Sequence, residues 1–131
     1  WDTQDGAIVQ LFPSNLQLQT LQLDPTFQHF KHCTYQTQDL LLLETPGHTR
    51  GHCSLLLKLP NAPSILLGGD VAYTQERLIQ KVFSATIKNH RQNIASCDAV
   101  LQLAQQQPLI FLPSHDTANA KRLVEGLVLN A

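Results

Sequence analysis

Three side chains of types that commonly bind metals or transfer protons each follow a short apolar run of the sequence. They are His48 after residues 40–43, Asp70 after residues 64–67 and a Gly pair, and His115 after residues 109–112. Loops at strand ends often carry functional side chains, and such ends can meet at one edge of a parallel or mixed sheet. Imidazole and carboxylate together suit Zn²⁺, Fe²⁺, Mn²⁺ or Co²⁺ without any thiolate. The pattern therefore predicts a metal centre.

Each of the three residues also has an ordinary structural explanation. A lone histidine such as His48 is more often a solvated or packed side chain than a ligand. An aspartate after a Gly pair, such as Asp70, is common in turns, and His115 could simply stand beside a helix cap at Asp116. Three separate coincidences would be needed to explain all of them in this way, so the metal centre is favoured.

The elements that must position these side chains can be predicted from hydrophobic periodicity. Short apolar runs separated by Pro and Gly predict consecutive buried strands over residues 40–43, 54–59, 64–68 and 109–112. Leu16 and Leu18 alternate like a strand that leads into a turn. Residues 89–107 have the spacing of an amphipathic helix, with a predicted buried face of Ile94, Cys97, Val100, Leu101 and Ala104. The tail predicts a second helix.

That tail helix is expected from Thr117 onward, capped by Asp116 or Thr117, with residues 120, 123, 124 and 127 on its apolar side. The order of the predicted elements indicates an α/β fold in which helices cover a sheet.

Composition limits the classes of function. The chain has 131 residues, which predicts one domain or part of one, and 43% hydrophobic against 15% charged residues indicates a globular core. A formal charge of −1 without a basic cluster argues against nucleic acid as a partner, and no apolar run approaches the ~20 residues of a membrane span. Three cysteines without CxxC spacing suggest neither disulfides nor a thiolate zinc site. We expect a cytoplasmic protein.

The segment Thr45-Pro46-Gly47-His48-Thr49-x-Gly51-His52 resembles the TPGHTxGH signature of the metallo-β-lactamase superfamily. The resemblance implies an αββα sandwich, in which two β-sheets lie between helices. It also implies that His48 binds metal one, that Asp70 bridges two metals and that His115 binds metal two. His52 is then expected to hydrogen-bond within the loop and orient its neighbours instead of binding metal.

Within that superfamily, residues 69–74 and 112–116 are similar to the N-acyl-homoserine lactonases, in which a tyrosine lies three residues past the bridging aspartate. That tyrosine is Tyr73. The resemblance implies two Zn²⁺ ions, with Fe²⁺, Mn²⁺ or Co²⁺ as alternatives, and a metal-bound hydroxide that opens a lactone ring. Tyr73 would stabilise the oxyanion. The expected partner is a small-molecule ester or lactone, and a homodimer is compatible with the sequence.

One feature departs from the family pattern, because its upstream HxHxDH motif is missing. Trp1-Asp2-Thr3 aligns with the end of that motif, which would make Asp2 a metal-two ligand and the acid that protonates the leaving alkoxide. Residues 1–131 would then be the C-terminal half of a metallo-β-lactamase-like domain that starts within a longer protein, with little or no activity of its own.

Three alternatives stay open. Another hydrolase of the same fold, such as a glyoxalase II-like thioesterase, is disfavoured because that group adds a C-terminal helical domain, whereas only a short tail follows His115. A true β-lactamase is disfavoured because its zinc enzymes usually have cysteine where Asp70 stands. A non-catalytic fragment is favoured by the missing HxHxDH motif.

Overall fold

The computed structural model describes residues 24–83 and 85–131. The candidate Asp2 and the strand expected around Leu16 and Leu18 lie outside these residues. The strands are β1 Asp24–Phe27, β2 Phe30–Thr37, β3 Leu40–Glu44, β4 Cys53–Leu57, β5 Ser64–Gly69 and β6 Leu109–Pro113. The helices are α1 Gln75–Gln80, α2 His90–Gln106 and α3 Asn119–Glu125. No helix of the described part is long and apolar enough to cross a bilayer.

The strands form one sheet in the order β1 to β6. Neighbours from β1 to β5 are antiparallel, whereas β5 and β6 are parallel and joined by a connection that contains α1 and α2. Since β3 and β5 are both antiparallel to β4, they run in the same direction, and β6 runs with them. The carboxyl ends of β3, β5 and β6 therefore open at one edge of the sheet, as the positions of the three candidate ligands require.

The main core lies between one face of the sheet and α2. Residues alternate between the two faces along a strand, and the fully buried face carries Leu41, Leu43, Leu56, Leu66 and Phe111. Cys97, Val100 and Leu103 of α2 join them in one hydrophobic cluster. The opposite face is also apolar but only half-buried, and its Leu67 is 47% exposed.

The strands predicted from residue 40 onward are present within one or two residues of their expected bounds, but three other elements were not predicted. β1 carries Pro25, which is tolerated at a sheet edge, and β2 is mostly polar in sequence. α1 has only six residues, too few to show helical periodicity.

The buried face of α2 differs from the predicted one. Cys97 and Val100 are buried as expected, whereas Ile94 is 39% exposed and Leu103 is fully buried. The first turns of α2 instead turn Asn93 and Ser96 inward, because this end of the helix packs on the polar backbone of the strand-end loops and not on the apolar sheet face.

The prediction for the tail helix was wrong in two respects. α3 begins later than expected, with Ala118 as an N-cap that makes no side-chain hydrogen bond, so neither Asp116 nor Thr117 is the cap. Its apolar side chains are also exposed, with Leu123 at 48% and Val124 at 86%. α3 contacts β6 at the edge of the described sheet, and a helix in that position has little surface to bury against.

Candidate metal centre

Asp70 lies between His48 and His115 at the open edge of the sheet. Its Oδ2 is 3.3 Å from His48 Nε2, and its Oδ1 is 3.2 Å from His115 Nε2. The exposed fractions of the side chains are 20% for His48, 27% for Asp70 and 57% for His115. The structure therefore brings together the three residues that the sequence singled out, in a site that is open on the His115 side.

These separations match the spacing of donor atoms around a metal. With metal–donor distances of about 2.0–2.2 Å, two donors of a tetrahedral site lie roughly 3.3 Å apart. Each oxygen of Asp70 faces a different histidine, so the arrangement fits two metal positions that share one carboxylate. Asp70 Oδ1 is buried and has no hydrogen-bond partner in the described part of the chain, which leaves it available as a ligand.

Each metal position would receive only two donors from this part of the protein. Within residues 24–83 and 85–131, no group of three or more His, Cys, Asp or Glu side chains surrounds a common metal position. A stable site needs three or four protein donors, so the remaining ligands would have to come from outside the described residues, where Asp2 lies.

The loop that presents His48 is fixed by a close backbone approach at Gly47. This residue has a φ of +137°, and a Cβ added to it would lie 2.4 Å from the Cα atom of Asn93. Only Gly accommodates both the conformation and the contact. The N–H groups of Lys88 and Asn89 donate to the carbonyl oxygens of His48 and Gly47, at 3.3 and 2.9 Å. The start of α2 thus anchors the His48 loop.

His52 links the His48 loop to Asp70 through hydrogen bonds at both ring nitrogens. The backbone N–H of Asp70 donates to His52 Nε2 at 2.9 Å. Because Nε2 accepts, the proton of the neutral ring is on Nδ1, which lies 2.9 Å from both the carbonyl oxygen and the hydroxyl of Thr45. His52 therefore has no lone pair free for a metal, in agreement with its expected orienting role.

A short chain of buried hydroxyl groups extends this network into the sheet. Ser54 Oγ donates to the carbonyl oxygen of Gly68 at 3.0 Å, and Thr45 Oγ1 lies 2.9 Å from Ser54 Oγ. Burial lowers the pKa of His52, although the bond to the Thr45 carbonyl opposes this effect. The ring is therefore neutral at pH 7, the state that the hydrogen bonds require.

Asp116 fixes the loop that carries His115. Its Oδ2 accepts from the N–H of Gln75 at 2.9 Å and lies 2.8 Å from an Arg122 nitrogen, while its Oδ1 accepts from the N–H of Ala118 at 3.0 Å. Burial alone would raise the pKa of Asp116, but the bonds from Gln75, Arg122 and Ala118 outweigh it and lower the pKa. The carboxylate thus ties the His115 loop to α1 and α3.

Tyr73 lies beside both candidate histidines, but its hydroxyl is bonded elsewhere. The centroid of its ring is 4.5 Å from that of His115 and 6.0 Å from that of His48. Its hydroxyl lies 2.6 Å from Thr86 Oγ1, in the loop between α1 and α2. The ring thus lies beside both candidate ligands, whereas the contact of the hydroxyl with Thr86 was not anticipated, and the catalytic role of Tyr73 stays a prediction.

Four further residues of the site were missed by sequence reasoning: Thr45, Ser54, Thr86 and Asn93. Thr45 is the first residue of the TPGHTxGH-like segment, so its place in that signature could have identified it as a residue of the site. For the others the sequence gives no local sign, because their importance comes from contacts with residues far along the chain.

Comparisons with known proteins agree on one group. The chain is 31% identical over 94 residues to the N-acyl homoserine lactonase AttM of Rhizobium radiobacter, which is 70% of this chain and 36% of that protein. The corresponding AttM of Agrobacterium fabrum is 30% identical over the same shares. No protein-family model matches the chain. In both alignments with AttM, this chain spans about a third of the length of the curated relative.

Solved structures give the same result. An N-acyl homoserine lactone hydrolase with N-hexanoyl-L-homoserine bound at its catalytic metal centre superposes with a TM-score of 0.61 and 27% identity, over 68% of this chain and 35% of that one. A quorum-quenching N-acyl homoserine lactone lactonase has a TM-score of 0.61 and 28% identity, over 68% and 37% of the chains. A probable metal-dependent hydrolase from Staphylococcus aureus, at 20% identity and a TM-score of 0.58, shares the fold.

Proposed function

Because this chain has part of a metallo-β-lactamase fold and is similar over two thirds of its residues to N-acyl homoserine lactonases, we propose that it belongs to a metal-dependent hydrolase that opens lactone rings. The single observation that carries the proposal is the position of Asp70, with each carboxylate oxygen facing a different histidine. A carboxylate that only stabilises a turn is not expected to have an imidazole nitrogen beside each of its two oxygens.

The proposed ligands are His48 for metal one, His115 for metal two and Asp70 as the bridge between them. Zn²⁺ is the proposed ion, with Fe²⁺, Mn²⁺ or Co²⁺ as alternatives. Bound at these residues, two divalent ions would lower the pKa of a bound water toward neutrality and polarise the lactone carbonyl. Asp2, outside the described residues, is the proposed additional ligand of metal two.

The chain's own groups would then serve the ring-opening step. The phenol of Tyr73 would donate a hydrogen bond to the oxygen of the lactone carbonyl as negative charge develops there. The carboxylate of Asp2 would take the proton that the attacking water loses and pass it to the leaving alkoxide, which becomes the free hydroxyl of the acyl-homoserine product. The network from Ser54 through Thr45 to His52 would hold the backbone of Asp70 in place during turnover.

The proposal is tested by Asp70→Asn, which keeps the size of the side chain and removes its charge. We expect the metal content per chain to fall and kcat/KM for N-hexanoyl-homoserine lactone to drop by more than the roughly 10- to 100-fold typical of outer-shell substitutions. Asp98→Asn is the matched control, since it makes the same change at an aspartate whose side chain is 40% exposed and pairs with Lys81. Metal content by mass spectrometry and steady-state hydrolysis are measured on both variants of the complete protein, because residues 1–131 alone are expected to have little or no activity.

Three results would contradict the proposal. An unchanged metal content in Asp70→Asn would remove the bridging role, and a protein with less than one tightly bound transition metal per chain would support a non-catalytic member of the fold. Faster hydrolysis of an acyl thioester than of the lactone would favour the thioesterase alternative.

A further inference from the structure

The first turns of α2 contact both loops that carry the proposed ligands His48 and Asp70. On the His48 side, Asn89 N–H donates to the Gly47 carbonyl oxygen at 2.9 Å, and Ser96 Oγ donates to the Pro46 carbonyl oxygen at 2.8 Å. On the Asp70 side, α2 reaches Val71, the residue that follows the proposed bridging carboxylate. This end of α2 therefore contacts both loops at once, which His52 also links through its hydrogen bond to the Asp70 backbone.

Asn93 is the residue of α2 that touches both loops. Its Nδ2 donates to the carbonyl oxygen of Val71 at 2.9 Å. Its backbone is in direct contact with Gly47, where an added Cβ would lie 2.4 Å from both the N and the Cα of Asn93. A shift of Asn93 would move the loops of His48 and Asp70 relative to each other.

The identity of the residue at this position supports a specific role for the amide. Asn93 is 0% exposed, and its Oδ1 has no hydrogen-bond partner in the described part of the chain. An unpaired buried polar atom opposes folding, so a purely apolar side chain would suit this core position better. The amide is explained by its donation to the Val71 carbonyl, which also receives a weaker contact from Cys97 Sγ at 3.4 Å.

We propose that Asn93 is a positioning residue, which sets the separation of His48 and Asp70 by holding the Val71 carbonyl while its backbone supports Gly47. This inference rests on the proposed metal-dependent function. It predicts that metal affinity depends on the proposed ligands and also on the amide of Asn93, a neutral group that contacts neither metal nor substrate.

The test is Asn93→Leu, which keeps the number and branching of the side-chain heavy atoms and removes the donor, although its methyl groups take more room. We expect metal affinity, measured by competition with a chelator, to fall about 10- to 100-fold, as for other groups that orient ligands. The absorption spectrum of the Co²⁺-loaded protein should also change, because donor geometry sets that spectrum. kcat should fall more than KM rises. Asn93→Ser, which shortens the side chain, is the second variant in case the leucine form does not fold.

Val100→Ala is the matched control. Val100 is fully buried on the same helix and belongs to the hydrophobic core cluster, so its truncation lowers the melting temperature but leaves in place the hydrogen bonds that α2 makes to the two loops, none of which involves the Val100 side chain. We expect it to leave the metal affinity and the Co²⁺ spectrum unchanged. Wild-type metal affinity in the Asn93 variants, or an equal loss in Val100→Ala at similar stability, would overturn the inference.

The same measurements separate this inference from the proposed function. A wild-type protein that binds metal but hydrolyses no lactone would contradict the function, while the effect of Asn93 on metal affinity could still be measured. A lactonase whose Asn93 variants are unaltered would contradict the positioning role alone. A wild-type protein that binds no transition metal would overturn both.

Discussion

At the residue scale, the phenol of Tyr73 has two candidate partners. Its ring lies beside His48 and His115, close enough for the hydroxyl to be aimed at a bound substrate, yet the hydroxyl contacts Thr86 at 2.6 Å. A hydroxyl both donates and accepts. Tyr73 can therefore keep Thr86 as one partner while it donates to an oxyanion, and Thr86 would then set the direction of that donation.

We expect Tyr73→Phe to lower turnover of an acyl-homoserine lactone by about 100- to 1,000-fold, the range for loss of one oxyanion donor, without changing metal content. Substrate binding should be affected less than turnover.

Thr86→Val should lower turnover by a smaller factor, and should have no further effect in the Tyr73→Phe background. Steady-state kinetics and metal analysis on the two single variants and the double variant measure this. Equal turnover in Tyr73→Phe and the wild type would reduce Tyr73 to a packing role.

His48, Asp70 and His115 could be found from the sequence because each follows an apolar run, and the end of that run shows where a strand stops. Asn93 could not, because its spacing is that of any residue in a helix and its burial depends on where Gly47 and Val71 come to lie. The contact of Tyr73 with Thr86 was hidden for the same reason, since it joins two loops whose approach no local pattern encodes.

The site depends on two short helices, of which α1 was not predicted from the sequence and α3 was predicted with a different start and cap. α1 starts where Asp116 accepts the N–H of Gln75, and α3 is held to the same carboxylate through Arg122. Sequence patterns predicted α2 and the strands from β3 onward because these are periodic and bury one face. They did not predict α1, whose first residue donates a hydrogen bond to a residue 41 positions away.

Asp116→Asn should destabilise the fold by about 2–3 kcal/mol, because it weakens three hydrogen bonds to a partly buried carboxylate and leaves Arg122 without its charge partner. Asp98→Asn is the matched control. Asp98 pairs with Lys81 at 2.6 Å, but the two side chains are 40% and 48% exposed, so its loss should cost under about 1 kcal/mol. Urea unfolding gives both values. Similar losses in the two variants would show that Asp116 is an ordinary surface aspartate.

The rate at which Cys97 is alkylated, compared with that of Cys53, indicates whether α2 stays packed on the sheet. Burial, reinforced by Asp98 and opposed by Lys81, raises the pKa of Cys97 to about 12. Cys53 is only half-buried, and its pKa is raised by burial and by Glu44. Iodoacetamide reacts with thiolates, so it should modify Cys53 in the folded protein at pH 8 to 9.5 and leave Cys97 unmodified.

After unfolding in guanidinium, both thiols should react. The modified positions are identified by mass spectrometry of peptides. Modification of Cys97 at the rate of Cys53 under folding conditions would mean that α2 separates from the sheet readily, and would weaken the role given to its first turns.

At the scale of the whole molecule, the described sheet has one face without full cover. Leu42, Leu55 and Leu67 are paired across β3, β4 and β5 on that face, and they are half-buried or exposed. A soluble domain rarely leaves a continuous apolar sheet face in water. An αββα sandwich has two sheets in contact, and the described residues supply one of them, which fits a chain that spans about a third of its relatives.

We therefore expect this face to be covered by a second sheet in the complete protein, and Leu67→Lys tests this. Leu67 is 47% exposed in the described part. If another sheet covers it, the variant should lose about 2–3 kcal/mol of unfolding free energy, the value of burying a leucine side chain with added cost for the charge.

Val124→Lys is the control, because Val124 is 86% exposed on α3, and it should change stability by less than about 0.5 kcal/mol. Both values come from urea titration of the complete protein. A loss for Leu67→Lys as small as for Val124→Lys would place this face in water and would contradict the two-sheet arrangement on which the completion of the metal centre depends.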